Sequence, residues 1–532
     1  MEKLKSVLIA NRGEIAVRII RTAKALKTIK TISIYTSIDA SSLHVSQADE
    51  AVLLPGSNST AYTDGDEIIK IAKEKGVDAI IPGYGFLSEN ADFARAVGKA
   101  GLLWIGPSPE SIEARELAEK AGVPIVPGTK GLVETAADAV KESERIGFPV
   151  MLKATGGGGG MGLVVCHTSE QVKEGFETVR SRGETLFKNP GLLVEFTSYT
   201  VFIERYIADG HHIEVQVFGN GQGQAIHFGE RECSIQRRNQ KVIEECPSPF
   251  VEKNPSLREK LGSTAVSLAE SMKYGSAGTI EYIVDDKTGE FYFLEMNTRL
   301  QVEHGITEMV YNVDLVELMF KQADAQLSGK GGLSADYLKS FQPSKPVGVA
   351  IEARVYAENP LRDYAPSPGL LQMVQWEQLE GSRIDTWVFT GTQVSPNYDP
   401  LLAKVMNHAK TREAAIKGMD ILISRSMICG PPTNLEYLAA IMQDKTFQSG
   451  HTLTSFLKTF DFAPSVIDVI SAGAYTLVQD LPGRPTVGKG VSLLMGANRG
   501  RCMRRSLTIP PITFRYLTLV CIFPSFDIVS SN

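Results

Sequence analysis

The chain has 532 residues, of which 43% are hydrophobic and 22% are charged, and its formal net charge is −6. These values are typical of a folded protein of several domains and exclude a mostly disordered, collagen-like or disulfide-scaffold chain. The negative charge gives no bulk attraction to a nucleic-acid backbone, so no nucleic-acid partner is expected. The six cysteines include no Cys-x-x-Cys pair, which argues against a zinc ribbon.

No targeting or membrane signal stands out. The N-terminus lacks a long apolar core followed by small residues, so no secretory signal is expected. The best membrane candidate, Ile512 to Phe523, is too short for a span and contains Arg515. We therefore expect a cytoplasmic protein without a membrane partner.

Strand-like and helix-like segments alternate over the first hundred or so residues. The sequence predicts a helix over residues 13–26 and strands over residues 6–10, 31–35, 79–82 and 102–105. This order indicates an α/β domain with a parallel sheet, in which ligands bind at the carboxyl ends of the strands.

A run of five glycines, Gly156 to Gly160, lies between predicted strands at residues 148–153 and 163–166. Such a run lets backbone N–H groups wrap phosphate oxygens, and Lys153 at its start adds a positive charge. The dinucleotide and P-loop interpretations fail, because the loop leads into a strand and no Gly-Lys-Ser/Thr follows. The pattern favours a lid over a nucleotide, with a mobile linker as the alternative.

The segment from Phe291 to Glu303 is rich in functional side chains. As one extended strand it would present five polar groups on one face. These are Glu295, Asn297, Arg299, Gln301 and Glu303. A strand at residues 279–284 and an intervening Thr-Gly turn predict a hairpin with Glu281 opposite Glu295.

This polar face suggests a chemistry. Glu281, Glu295 and Asn297 offer hard oxygen ligands for magnesium at nucleotide phosphates. Beyond them, Arg299 and Gln301 suit a small planar oxyanion, and a general base could follow at Glu303. The alternative is a solvated edge strand with alternating charge.

Two further clusters carry weaker signals. Adjacent His211 and His212 precede Glu214 without a further nearby Cys or His, so a hydrogen-bonding role is preferred to a metal site. The polar run at residues 236–241 suits phosphate or ribose contacts, or else a solvated face.

Several motifs together resemble the biotin carboxylase family, whose members have the ATP-grasp fold. They are LIANRGEIA at residues 8–16, PGYGFLSEN at 82–90, GGGGGMG at 156–162, EMNTRLQVEH at 295–304, EAR at 352–354 and NYDP at 397–400. The biotin carboxylase region of urea carboxylases and urea amidolyases is the most similar part of the family. Met161 stands where acyl-CoA carboxylases usually carry arginine, and residues 470–484 resemble the opening of a carboxyltransferase domain.

The resemblance implies an α/β and α+β multidomain architecture. The expected parts are an N-terminal Rossmann-like (preATP-grasp) domain at 1–113, an ATP-grasp domain at 114–330 with a glycine-rich lid at about 131–203, a β-rich biotin carboxylase C-terminal domain at 331–460, a linker and truncated carboxyltransferase-like start at 461–488, and a tail of unknown structure at 489–532.

The resemblance also implies a ligase that forms a C–N bond by ATP-dependent carboxylation of biotin. Bicarbonate would attack the γ-phosphate of ATP, held with Mg²⁺ or Mn²⁺, to give carboxyphosphate. Its carbon dioxide would then be captured by the biotin ureido nitrogen. The expected partners are ATP, bicarbonate and a biotinyl carrier domain that this sequence lacks, with a homodimer as one expected assembly.

Individual residues match family roles. Glu303 matches the base that deprotonates bicarbonate, Arg354 matches the group that stabilises the biotin enolate, and Arg299 is a third catalytic position. The bicarbonate site matches Arg299, Gln301 and the Val302 backbone, and the metal site matches Glu281, Glu295 and Asn297. The nucleotide-binding positions are Lys153, Gly157, Gly158, Gly159, Gly160, Met161, Glu204, Arg205, Ile207, His212, Gln236 and Lys241.

Four departures from the family pattern affect this interpretation. The stretch at residues 112–117 is several residues shorter than in the family and lacks a phosphate-contacting lysine, and Asn239 stands where the family usually has a histidine. Residues 192–201 look inserted, and the family pattern ends after about residue 488. We hypothesise a truncated or imperfectly spliced copy with weakened ATP binding, since a charge-assisted hydrogen bond contributes about 1.5–3 kcal/mol. The alternatives are an acyl-CoA or pyruvate type of carboxylase, another ATP-grasp ligase, or a degenerate non-catalytic partner of an intact copy.

Overall fold

The computed structural model describes residues 3–56, 58–113, 123–129, 131–154, 163–186, 201–238, 240–341, 345–464, 467–471 and 474–478. Several expectations fall outside these described residues: the glycine loop, Asn239, nearly all of the inserted stretch and the whole tail.

The N-terminal part is a parallel five-stranded sheet with helices, as the sequence predicted. Its strands are β1 (Ser6–Ile9), β2 (Lys30–Tyr35), β3 (Glu50–Leu53), β4 (Ala79–Ile81) and β5 (Leu103–Trp104). Its helices are α1 (Gly13–Leu26), α2 (Leu43–Gln47), α3 (Gly65–Lys75), α4 (Ala91–Lys99) and α5 (Pro109–Glu113). The spatial order β3-β2-β1-β4-β5 reverses direction at β1, so the loops after β1 and β4 open a crevice.

A small antiparallel sheet with two helices follows. Its elements are α6 (Ala136–Ile146), β6 (Val150–Ala154), β7 (Leu163–Cys166), α7 (Ser169–Leu186) and β8 (Val201–Arg205). Strands β6 and β7 pair antiparallel, from Val150 with Cys166 to Lys153 with Leu163. This pairing confirms the predicted hairpin on either side of the glycine run.

The remaining chain builds one large sheet and its covering helices. The next elements are β9 (Gly210–Gly219), β10 (Ala225–Arg237), β11 (Gln240–Cys246), α8 (Pro249–Glu252), α9 (Pro255–Ser271), β12 (Ala277–Asp285), β13 (Phe291–Asn297), α10 (His304–Tyr311), α11 (Leu315–Leu327) and α12 (Ala335–Lys339). They are followed by β14 (Val349–Tyr356), β15 (Glu358–Asn359), β16 (Ala365–Pro366), β17 (Gly369–Leu370), β18 (Met373–Gln375), β19 (Ser382–Thr386), β20 (Gln393–Val394), β21 (Leu401–Ala409), α13 (Arg412–Arg425), β22 (Met427–Cys429), α14 (Leu435–Gln443), α15 (Lys445–Ser449), α16 (Phe456–Thr459), β23 (Ile467–Ser471) and β24 (Ala474–Val478).

The large sheet has eight strands in the order β13-β12-β9-β10-β11-β14-β21-β19. Every neighbouring pair in it is antiparallel. The join between β11 and β14 makes the predicted ATP-grasp and C-terminal regions share one sheet. Side chains separated by more than a hundred residues therefore come to one surface.

The predicted β12–β13 hairpin is confirmed, and Glu281 lies opposite Glu295. The prediction of one extended strand as far as Glu303 is wrong, because β13 ends at Asn297 and α10 begins at His304. Leu300 turns into the apolar core, and the carbonyl oxygen of Gln301 accepts a hydrogen bond from the His304 ring. These contacts bend the segment into a loop whose polar side chains still converge.

The largest core cluster joins the N-terminal sheet to the central region. It includes Val7 and Ile19 of the first part together with Phe228 and Met319. This shared core fixes α1 against the large sheet. Among the described residues, no helix combines the length and apolar character needed to cross a bilayer.

Candidate active site

A buried lysine surrounded by carboxylates forms the centre of the site. Lys241, near the start of β11, donates from Nζ to Glu281 at 2.8 Å and to Glu303 at 2.7 Å, and it also bonds Glu214. The side chains of Glu214, Glu281 and Glu303 are 7% exposed or less. Four separate segments thus place one cation among three anions. The further positive charges that these carboxylates need come from Arg231, which pairs with Glu214, and from Arg354, which pairs with Glu303.

Arg354 of β14 forms the second cationic group. Its Nη2 donates to Glu303 at 2.8 Å, and its Nε donates to Glu244 of β11 at 2.6 Å. Glu303 is therefore held between Lys241 and Arg354. This places a carboxylate, the group predicted as the general base, between two cations that can also bind anionic substrates.

A fully buried arginine holds side chains of this cluster through hydrogen bonds. Arg231 of β10 bonds Glu214, and it donates to Gln216 at 2.8 Å, Thr307 at 2.9 Å and Gln301 at 2.9 Å. The Nε2 of Gln301 donates in turn to Glu281 at 2.8 Å. Arg231 thereby fixes which way the Gln301 amide points.

The predicted metal and oxyanion residues lie beside this centre. Asn297 donates from Nδ2 to Glu281 at 2.8 Å, and its Oδ1 accepts from Arg299 at 3.0 Å. Arg299 also donates to Glu89 of the N-terminal part at 3.1 Å. Glu295 pairs with Glu281 in register, although its side chain is exposed to solvent.

The predicted nucleotide residues are only partly brought together. Lys153 of β6 pairs with Glu204 of β8, and among the described residues neither side chain forms a hydrogen bond with the carboxylate centre. His212 lies with Nε2 2.8 Å from Glu281, which joins it to that centre. Ile207 is buried, Arg205 is exposed, and Gln236 donates to the Cys233 carbonyl at 2.8 Å. The predicted Gly157, Gly158, Gly159, Gly160 and Met161 lie outside the described residues.

The two adjacent histidines occupy different surroundings. His211 lies between Glu232 and Asp286, at 3.2 and 3.0 Å, and stacks on Phe250. This is the hydrogen-bonding role that the sequence favoured. The ligand atoms of His212, Glu214 and Glu281 lie within 4.8 Å of one another, so a cation could also be held there.

Sequence reasoning gave no role to several groups that complete the site. Arg231, Glu244 and Lys404 are buried charged residues in strands, and Glu89 belongs to a recognised motif. The signal in the sequence for such residues is a charged side chain at a strand position where the pattern would place an apolar one. Its partner could not be identified, because Arg231 and Gln301 are 70 residues apart in the chain.

Burial and charge pull the pKa values of the carboxyl groups in opposite directions. Burial opposes ionisation of Glu303, but Lys241 and Arg354 outweigh it and hold the pKa well below its usual value. The same holds for the pKa of Glu281 beside Lys241 and His212. Burial prevails at Glu244, where it raises the pKa to about 7 although Arg354 opposes the shift. The site therefore contains carboxyl groups of different basicity.

The donor atoms present fit a magnesium ion better than a softer metal. Glu281 and Glu295 are adjacent across two strands, and Asn297 adds a carbonyl oxygen on the same strand as Glu295. Carboxylate and amide oxygens, few in number and open to water on the Glu295 side, are the ligands that Mg²⁺ accepts beside phosphates.

Comparison with known proteins agrees with this architecture. The chain matches the family models for the biotin carboxylase N-terminal domain over residues 3–112, the ATP-binding domain of the carbamoyl-phosphate synthase L chain over 110–328, and the biotin carboxylase C-terminal domain over 352–459.

Individual relatives cover different shares of their own length. The chain is 65% identical over 92% of its length to a protein of Emericella nidulans assigned as a urea carboxylase, and it spans 39% of that protein. It is 42% identical to biotin carboxylase 1 of Bacillus subtilis, over 86% of this chain and 99% of that protein.

A solved structure shares the fold. The biotin carboxylase domain dimer of Hydrogenobacter thermophilus 2-oxoglutarate carboxylase, in complex with MgADP, ADP and bicarbonate, has a TM-score of 0.78 at 38% identity. That comparison covers 87% of this chain and 100% of the other. Since a full-length biotin carboxylase is matched almost end to end, this chain belongs to the biotin carboxylase family.

Proposed function

We propose that the chain catalyses ATP-dependent carboxylation of biotin with bicarbonate, as the biotin carboxylase part of a urea carboxylase or urea amidolyase type of enzyme. The observation that carries the proposal is the carboxylate of Glu303 held between Lys241 and Arg354, beside Gln301. This arrangement supplies a base, an anion-binding amide and two cations within one buried cluster.

In the proposed reaction, Glu303 takes the proton of bicarbonate, and the oxygen so exposed attacks the γ-phosphorus of ATP. The bond to ADP breaks and carboxyphosphate forms, which then splits into carbon dioxide and inorganic phosphate. The phosphate takes the proton of the biotin ureido N–H group, and the nitrogen attacks the carbon dioxide. Arg299, Gln301 and the Val302 backbone hold bicarbonate in this scheme. Arg354 stabilises the negative charge that develops on the biotin ureido oxygen.

The lysine contact offers a way to link ATP binding to base strength. While Lys241 bonds Glu303, the carboxylate is a weak base, because the cation lowers its pKa. A triphosphate that draws Lys241 away would remove this effect and raise the basicity of Glu303. Deprotonation of bicarbonate would thus be favoured when ATP is in place.

Nucleotide and metal positions complete the proposal. Lys153, Glu204, Arg205, Ile207, His212, Gln236 and Lys241 are proposed to bind ATP, together with the glycine loop. Magnesium would be held by Glu281, Glu295 and Asn297, and it would offset the charge of the phosphates.

The urea type is favoured over an acyl-CoA or pyruvate type by similarity. Identity is 65% to the E. nidulans protein and 41% to the propionyl-CoA carboxylase alpha chain of Ruegeria pomeroyi. The proposal also includes the urea type of carboxyl acceptor, a biotinyl carrier domain as partner, and a cytoplasmic location. So does a homodimer, which is supported by the dimeric relative from H. thermophilus.

The proposal is tested with the purified full chain by measuring ADP release in the presence of free biotin. We expect release that requires bicarbonate and increases with biotin. Glu303→Gln should reduce it by about 10²- to 10⁴-fold, as is usual when an acid–base group is lost. Glu259→Gln, the same change at an exposed position of α9, should leave it unchanged. Bicarbonate-independent release would contradict the proposal.

A second candidate, a non-catalytic partner of an intact copy, is favoured only by the missing lysine around residues 112–117. Isothermal titration with MgATP separates the two. A catalytic chain binds the nucleotide with measurable heat, and a pure scaffold does not.

A further inference from the structure

Two buried side chains hold the backbone on both sides of Val302. Lys404 of β21 donates from Nζ to the Val302 carbonyl oxygen at 2.7 Å. The ring of His304 donates from Nδ1 to the Gln301 carbonyl oxygen at 2.7 Å. Both side chains are completely buried. Neither carries a role in the reaction proposed above.

The surroundings of the two donors suit a charged Lys404 and a neutral His304. Lys404 lies 3.2 Å from Glu14 of α1 and 3.7 Å from Asp385 of β19, so its charge is compensated. Burial, together with Lys404 and Arg18, holds the pKa of His304 well below its usual value. The ring is therefore neutral, and its single proton serves the Gln301 carbonyl.

We infer that Lys404 and His304 are positioning residues, which aim the backbone amides of Val302 and Glu303 at the bound bicarbonate. Each pinned carbonyl shares a rigid peptide plane with the next residue's N–H group. The Gln301 carbonyl therefore orients the Val302 amide, and the Val302 carbonyl orients the Glu303 amide. Neither amide has an acceptor among the described residues.

The same contacts strengthen these amides as donors. A hydrogen bond to a carbonyl polarises the peptide and makes its N–H a better donor, and a cation does so more strongly. Lys404 also brings three parts of the chain together, since it joins the loop before α10, strand β21 and Glu14 of α1. The bicarbonate site would thus be complete only when the C-terminal region is docked.

The inference rests on the proposed function and is tested in the same ADP-release assay. His304→Leu removes a neutral hydrogen bond and should raise the KM for bicarbonate about fivefold. Lys404→Met removes a charge-assisted one and should raise it about 10- to 100-fold. The KM for MgATP should stay unchanged in both variants. His304→Asn, which keeps an amide donor near the position of Nδ1, should restore most of the bicarbonate affinity.

The controls separate positioning from structural roles. His408, on the same strand as Lys404, bonds the Val347 carbonyl at 2.7 Å, so His408→Leu loses a similar contact away from the site. It should leave both KM values unchanged. If Lys404→Met does not fold, the His304→Leu and His304→Asn pair decides the question.

The outcomes are distinguishable. An inactive wild-type chain overturns the proposed function, and this inference with it. An active wild type whose His304→Leu variant keeps its KM for bicarbonate, or raises both KM values equally, overturns the inference alone.

Discussion

The buried Arg231 provides the sharpest test of how the site is held together. Arg231 and Glu214 are both 0% exposed, and Arg231 further donates to Gln216, Thr307 and Gln301. Arg231→Met keeps the side-chain bulk but leaves Glu214 with one cation fewer and four polar groups, those of Gln216, Thr279, Thr307 and Gln301, without this donor. Removing one partner of a buried ion pair costs about 3–5 kcal/mol.

The matched control is an arginine close by in the sequence. Arg238 pairs with Asp363 at 2.6 Å, but the two side chains are 71% and 76% exposed. A pair of this kind contributes about 0–1 kcal/mol, so Arg238→Met should barely change the free energy of unfolding. The two variants carry the same chemical change, and burial alone separates their expected effects.

The assay is urea denaturation of the purified chain, followed by circular dichroism and by tryptophan fluorescence. Arg231→Met should lose about 3–5 kcal/mol of unfolding free energy relative to Arg238→Met. Losses that agree within about 1 kcal/mol would show that the Arg231 network does not stabilise the central sheet. A Glu214→Gln and Arg231→Met double-mutant cycle should show strong coupling, because the two residues are in direct contact.

Further predictions concern pH and the metal site. Burial lowers the pKa of His44 to about 4 against the opposing charge of Asp39. The unfolded chain therefore binds a proton at His44 that the folded chain does not, so stability is lost as pH falls from 6.5 towards 4. The expected loss is about 2 kcal/mol at pH 5, and urea denaturation of His44→Leu should show a flatter dependence between pH 7 and 5. For the metal site, Glu295→Gln should weaken MgATP binding in isothermal titration yet keep the melting temperature, since Glu295 is exposed. Glu281→Gln should weaken binding and also lower the melting temperature, because Glu281 is buried between Lys241 and His212. Equal effects of the two variants on the melting temperature would contradict this assignment.

Local patterns predicted much of the fold because neighbouring strands follow each other in the chain. The hairpin of β12 and β13 needs only a turn signal and two apolar runs, and its register followed from them. The parallel N-terminal sheet was equally visible from alternating strands and helices. The hairpin is fixed by contacts between residues that are close in sequence, whereas the parallel sheet pairs Val7 with Ala79 and was predicted from the alternation of its elements alone.

The prediction of one strand over residues 291–303 is wrong because the contacts that end the strand come from residues distant in sequence. Polar and apolar residues keep alternating beyond Asn297, yet Leu300 enters a core built by distant helices and strands. Lys404 then bonds the Val302 carbonyl from 102 residues away. Tertiary contacts of this kind override the local preference for an extended strand.

The cations of the site are paired with carboxylates of the protein itself, and this pairing affects how anions bind. Lys241 and Arg354 donate hydrogen bonds to carboxylates of the chain, namely Glu281, Glu303 and Glu244. In the proposed reaction, an anionic substrate must therefore compete with these carboxylates for the two cations. Such competition reduces the affinity for any single anion but couples anions that bind together. A triphosphate that bonds Lys241 would take one cation away from Glu303. The pKa of Glu303 would then rise, and its carboxylate would accept a proton more readily. For the proposed reaction, we therefore expect ordered binding, with nucleotide before bicarbonate.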